Sequence, residues 1–149
     1  VQPFIKKIDS LFKNLVPDRH KAQLQRAKKT PKFQIKDTAF STLTINYNFR
    51  TATHRDKGDL EEGFGNLVVL EKPGVKYEGG YLGFPQFKVA VDLRQGDFLA
   101  MDVHQWHSNT KLIGKTILNK RGKRIPEYGR LSVVCYLRKN MIKCAKKKK

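Results

Sequence analysis

His54-Arg55-Asp56 puts an imidazole and a carboxylate two residues apart, and Asp102-Val103-His104-Gln105-Trp106-His107 offers two more imidazoles much later in the chain. In extended backbone, residues i and i+2 point the same way, so His54 and Asp56 can reach one ion while Arg55 faces away. Two imidazoles and one carboxylate on a single face, with the opposite face open, are the ligands of a non-haem ferrous site. The third ligand must come from another strand, and Phe98-Leu99-Ala100-Met101 reads as a short buried strand delivering the chain to His104 and His107. Arg130-Leu131-Ser132 adds a planar guanidinium fork that grips a carboxylate through two parallel bonds, with a hydroxyl on the same strand face.

Taken together, His54-Arg55-Asp56-Lys57-Gly58-Asp59, His107-Ser108-Asn109-Thr110 and Arg130-Leu131-Ser132-Val133-Val134-Cys135-Tyr136 resemble the Fe(II)/2-oxoglutarate-dependent dioxygenases, and within them the TET/JBP group that oxidises the methyl of pyrimidines in DNA. The resemblance runs from about Lys32 to Cys144. It implies a double-stranded β-helix (jelly-roll, cupin-like), Fe(II) and 2-oxoglutarate as cofactors, and O2 consumed with release of succinate and CO2. It implies His54, Asp56 and either His107 or His104 as metal ligands. His107 is favoured, because the family's metal histidine precedes a small residue and then Asn-Thr or Thr-Thr. Arg130 and Ser132 would hold the far carboxylate of 2-oxoglutarate, with Asn48 as a further contact if it shares a strand face with His54 and Asp56. The implied substrate is 5-methylcytosine or thymine in DNA, expected double-stranded with the base flipped out. Sister groups hydroxylate protein side chains or dealkylate nucleic acids with the same triad, and a non-catalytic DNA-binding barrel is the other rival. Asp59, Phe84, Tyr81, Trp106 and His104 are candidate substrate contacts.

The elements that must position these groups are legible in part. Phe4, Ile5, Ile8, Leu11, Phe12 and Leu15 recur at helical spacing, with Pro3 suiting the first turn and Pro17 marking the end. Asp18 is placed to cap a second, cation-rich helix running to Lys29, on which His20, without a neighbouring partner, is expected at the surface. From Pro31 the period changes. Phe33–Ile35, Phe40–Phe49 and Asn66–Leu70 read as strands, and Val89–Leu93 and Phe98–Met101 flank Arg94-Gln95-Gly96-Asp97 as a hairpin. Short strands and glycine turns without interleaved helices predict a mostly-β (α+β) jelly-roll barrel buttressed by the N-terminal helices. The expected organisation is one domain over 1–149: helical support in 1–30, a β-helix core in 31–144 and a basic tail in 145–149.

A net charge of +18 points first to nucleic acid, with an acidic protein or membrane surface as the alternative. The charge is polarised, since nine of the 13 acidic residues lie within 56–62 or 71–102. Lys111–Gly129, with Lys115, Lys120, Arg121, Lys123 and Arg124, is bounded by the metal histidine and the co-substrate arginine. It reads as a surface loop at the site mouth, a candidate clamp on DNA phosphates. Cys135 and Cys144 build no disulfide framework, and no apolar run reaches the length of a signal segment or membrane span. The expected setting is a reducing intracellular compartment (nucleus or cytoplasm, including a host cell's for a viral protein), without membrane association and as a monomer. The chain opens on Val1 rather than Met, as a piece of a longer protein would.

Overall fold

A computed structural model describes residues 1–141; Cys144 and the lysines of 146–149 lie outside the described residues. Two helices lead into a strand-rich body. Helix α1 (Gln2–Leu15) turns its Ile5, Ile8 and Phe12 inward, and Pro3 sits in its first turn, where an amide hydrogen has no helical partner. Pro17 does not merely end α1 but opens α2 (Pro17–Lys28) directly. Val16 is the residue before α2, so Asp18 falls within the first turn, where its charge suits the helix dipole, and is not the cap.

Helix α2 is also less solvated than its cations suggest. Gln23 is fully buried, donating to the Ala39 carbonyl at 2.9 Å and accepting the Phe64 amide at 2.9 Å. His20, expected at the surface, is buried with Nε2 3.1 Å from Asp9 Oδ2, while Asp9 Oδ1 accepts the Ala39 amide at 2.7 Å. The partner was invisible to a local reading because it lies on the preceding helix. Residues 31–40 form turns and bends, so the expected strand at Phe33–Ile35 does not form.

The strands are β1 (Thr42–Tyr47), β2 (Gly65–Glu71), β3 (Tyr77–Gly79), β4 (Leu82–Phe84), β5 (Val89–Val91), β6 (Phe98–Met101), β7 (Ser108–Asn109), β8 (Leu112–Gly114), β9 (Thr116–Leu118), β10 (Arg124–Pro126) and β11 (Arg130–Tyr136). The main sheet has the antiparallel order β1-β11-β2-β6, and a smaller sheet, β5-β4-β7, faces it. Strands β3 and β8 pair with each other, as do β9 and β10. Alternation in β2 divides two cores. Val68, with Cys135 from β11, meets Ile5, Ile8, Phe12 and Phe40 on the helical side. Leu67 and Val69 meet Leu82 and Leu93 between the sheets.

The expected hairpin at Arg94–Asp97 is a turn of another kind. It is a real turn, with Asp97 Oδ2 accepting the Arg94 amide at 2.8 Å. Its two arms belong to different sheets, β5 pairing with β4 and β6 with β2. A crossing of this kind is what a double-stranded β-helix uses to wrap one sheet over the other, and the mostly-β barrel buttressed by helices is the observed fold.

Candidate active site

The barrel side of β1 and β11 is polar where it should be greasy. Thr44 pairs with Val134 and Asn46 with Ser132, and all four side chains line a cleft of about 530 Å³. Leu67, Leu82, Met101 and Val103 close its floor, while His54, Asp56, Asp59 and His107 stand on its wall.

His54 and His107 form an isolated antiparallel bridge, each accepting the other's amide at 3.0 Å. The extended backbone expected around His54-Arg55-Asp56 is reduced to this bridge and to the Asp56 amide, which donates to the Val103 carbonyl at 2.9 Å. It suffices. One ligand atom from each of His54, Asp56 and His107 falls within 4.8 Å of the others. His54 Nε2 lies 3.2 Å from Asp56 Oδ1, and His107 Nε2 lies 3.9 Å from Asp56 Oδ2.

The ring orientations are set from behind. His54 Nδ1 bonds the Ala52 carbonyl at 2.8 Å, and His107 Nδ1 bonds the Gln105 carbonyl at 2.8 Å. A carbonyl can only accept, so each Nδ1 carries a hydrogen, which leaves each Nε2, aimed at Asp56, as the nitrogen whose lone pair a metal would take. Three convergent lone-pair donors with fixed tautomers are the ligand set of a divalent cation, which would also relieve the crowding of two imidazoles on one carboxylate. His104, the other histidine of that stretch, is turned to Asp102, with Nδ1 3.0 Å from Oδ1. Burial works against the Asp102 charge, yet bonds from Gln105 and from the His104 amide and ring hold its carboxyl below the usual range. His104 therefore stands outside the convergent set.

Arg130 opens β11 and is 4% exposed, with Nε and Nη2 buried and without a hydrogen-bond partner among the described residues. A buried guanidinium with two idle donors is costly unless an anion completes it. Gly80 makes room for it: a Cβ there would meet Leu112 Cδ2 at 2.6 Å and Arg130 Nε at 3.3 Å, and its φ of +72° suits glycine besides. Asn48, expected to share a strand face with the ligands, does not. β1 ends at Tyr47, Asn48 turns left-handed with φ 47°, and its amide is spent on the backbone of Tyr128 and Arg130.

A scan of family models matches residues 1–139 to Tet_JBP, the oxygenase domain of the 2OGFeDO superfamily. The chain belongs to the TET/JBP oxygenase family. Among curated relatives, the bifunctional helicase and thymine dioxygenase JBP2 of Leishmania infantum is 38% identical over 141 residues, covering 95% of this chain and 12% of that protein. JBP2 of Trypanosoma brucei brucei is 40% identical over 131 residues, or 88% of this chain and 11% of that one. The thymine dioxygenase JBP1 of Trypanosoma brucei brucei is 36% identical over 138 residues, or 93% and 15%. The chain thus spans only about an eighth of the length of such relatives. A solved structure, NgTET1 in complex with 5mC DNA, superposes with a TM-score of 0.67 at 12% identity over 94% of this chain and 49% of that one, which fixes the fold.

Membership of this TET/JBP family implies Fe(II) and 2-oxoglutarate, and the residues present fit both: a His-Asp-His triad and a buried, unsatisfied arginine.

The other sequence candidates fall in varied places. Ser132 and Asp59 line the cleft. Asp59 is 8% exposed, and burial, reinforced by the charge of Asp56, pushes its carboxyl up to about 7 against the pull of His104, Arg138 and Lys139. Phe84 packs into the inter-sheet core, whereas Tyr81 is exposed on the loop before β4. Trp106 lies under the Arg55 guanidinium at 4.7 Å, and Arg55, expected to face away from the triad, lines the same cleft as His54, Asp56 and His107. Lys120, Arg121, Lys123 and Arg124 are carried on the ordered β9–β10 hairpin, not on a loose loop. Missed from the sequence were Thr44, Tyr136 and Arg138, which also line the cleft. Alternation along β11 from Ser132 would have found Tyr136, and the β1 register then gives Thr44.

Proposed function

We propose that this chain is an Fe(II)/2-oxoglutarate-dependent dioxygenase domain that oxidises the 5-methyl group of a pyrimidine base in DNA, consuming O2 and releasing succinate and CO2. The observations that carry the reading are the convergent His54-Asp56-His107 set on the cleft and, two residues along β11 from the cleft-lining Ser132, the buried Arg130 with no hydrogen-bond partner for Nε and Nη2 among the described residues. Iron and keto-acid bound there supply the oxidising chemistry; the protein supplies position.

Each residue's part follows from its place. His54, Asp56 and His107 would hold the metal on the wall of the cleft. Arg130 and Ser132 receive the distal carboxylate of the keto-diacid. Asp59, buried on the cleft beside the metal-binding set, presents a hydrogen-bonding carboxyl to the edge of a base. His107 is only 5% exposed, so a methyl group stacked inside a duplex cannot approach it. The base must leave the stack, at a cost of a few kcal/mol. Phosphate contacts fall to the basic hairpin, with DNA rather than protein favoured by the +18 net charge. A buried free thiol at Cys135 and ferrous iron both suit a reducing compartment.

The deciding experiment is incubation with Fe(II), 2-oxoglutarate and duplexes bearing thymine or 5-methylcytosine, followed by mass spectrometry of the released nucleosides. Gain of one oxygen on the methyl supports the reading. Succinate release with acidic peptides but not DNA would replace it with a protein hydroxylase.

A further inference from the structure

The antiparallel pairing of β1 with β11 runs from Thr42↔Tyr136 to Tyr47↔Leu131 and would stop there. Asn48 extends it by other means. Its backbone amide donates to the Arg130 carbonyl at 2.9 Å. Its side-chain Oδ1 accepts the Arg130 amide at 2.8 Å, and its Nδ2 donates to the Tyr128 carbonyl at 3.0 Å. One residue thus satisfies both backbone groups of Arg130 and fixes the chain two positions earlier. It does so from a left-handed conformation, φ 47°, that asparagine tolerates far better than most residues.

The placement matters because of what Arg130 is left to do. Its guanidinium is buried with Nε and Nη2 unpartnered among the described residues, a state from which a long, charged side chain would tend to withdraw toward water. The Asn48 clamp holds the Cα of that arginine against such withdrawal, and Gly80 lies so close to the side chain that a Cβ there would stand 3.3 Å from Nε.

We propose that Asn48 is a positioning residue for the keto-acid co-substrate: it touches no ligand, but holds Arg130 pre-aimed, so that the arginine's order is not a cost charged to binding. The inference rests on the reading of Arg130 as the anchor of the distal carboxylate.

The test uses the whole chain loaded with Mn(II) in place of Fe(II), and reads calorimetric binding of two keto-acids. 2-Oxoglutarate carries the distal carboxylate; pyruvate lacks it and cannot reach Arg130. In Asn48→Ala the affinity for 2-oxoglutarate should fall roughly tenfold, the loss of one to two buried hydrogen bonds, while the affinity for pyruvate stays put. Equal weakening of both would show a general disturbance of the fold, and no weakening of either would show a bystander; both overturn the inference. Asn48→Gly, which keeps the left-handed backbone without strain and removes the same side chain, should repeat the split if the alanine variant folds poorly. If the unaltered protein itself binds the two acids equally well, the role of Arg130 fails, and this inference falls with it.

Discussion

His54 and His107 face one another across a single backbone bridge, with ring centroids 4.3 Å apart and planes tilted by 54°. Distant parts of the chain are thereby registered residue against residue at the candidate metal-binding set. The carboxylate between them comes from Asp56, whose own amide is tied to Val103, one residue before His104. His104 is close in sequence, but its ring is turned to Asp102.

Metal binding should therefore separate the two histidines. His107→Ala and Asp56→Ala should each abolish stoichiometric Fe(II) binding in an anaerobic titration, whereas His104→Ala keeps it. Retention in His107→Ala with loss in His104→Ala would reverse the ligand assignment.

Arg130 should show opposite signs in stability and in binding. A buried cation without a partner costs stability, and replacing such groups by apolar residues of similar size is often stabilising by about 1–4 kcal/mol. Arg130→Met should unfold at equal or higher urea concentration than the unaltered protein when both are free of co-substrate. It should also lose measurable 2-oxoglutarate binding. A large loss of stability would mean that the guanidinium already has a partner.

Asp59 should leave a signature in the pH dependence of stability. Its carboxyl holds a proton up to about pH 7 in the folded, metal-free chain, whereas an unfolded aspartate releases it near 3.9. Between those values the native state binds the extra proton. The unfolding free energy therefore falls as pH rises through this window and levels off above it. The contribution is complete in acid and lost by neutrality, and is on the order of a few kcal/mol. Asp59→Asn should flatten that slope in urea unfolding between pH 4 and pH 8, roughly the limits of the window. An identical slope in the variant would place the proton elsewhere.

Asp9 should be worth more than an ordinary surface acid. It accepts the Ala39 amide and faces buried His20, joining α1, α2 and the turns before β1. Asp9→Ala leaves two buried polar groups unmatched, about 2–4 kcal/mol of stability. Equilibrium unfolding would measure this, with no change expected in the ratio of the two keto-acid affinities. A cost below about 1 kcal/mol would mean that water replaces the carboxylate.

This pair also shows where a sequence becomes opaque. The His54-Asp56 pair was legible because its chemistry is encoded in residue type and short spacing, whereas in the sequence only the family's motif favours His107 over His104. Strand β2 was legible because its apolar run is unbroken. The Asp9–His20 contact depends on how two helices cross, which no periodicity records. The turn at Arg94–Asp97 was legible as a turn, but the sheets its arms join depend on long-range pairing with β2 and β4. Asn48 misled for the same reason: the face argument assumed a strand that ends one residue too soon.

The β9–β10 hairpin offers the cleanest separation of binding from folding. It pairs only with itself among the described strands, and Asn119 Oδ1 organises its tip by accepting the Arg121 and Lys123 amides at 2.9 Å each. Lys120, Arg121 and Lys123 are exposed around that turn, and Arg124 stands on the rim of β10. Replacing all four by glutamine should therefore leave the melting temperature nearly unchanged. Each DNA phosphate that is no longer neutralised takes about 0.9 off the slope of log K against log salt, so a hairpin whose cations mostly reach phosphates would flatten the slope by roughly 2–3. Because phosphate contacts carry no sequence information, the weakening should be similar for thymine-bearing and 5-methylcytosine-bearing duplexes. An unchanged slope would move the DNA contact to another basic face, with the cations of α2 the next to test.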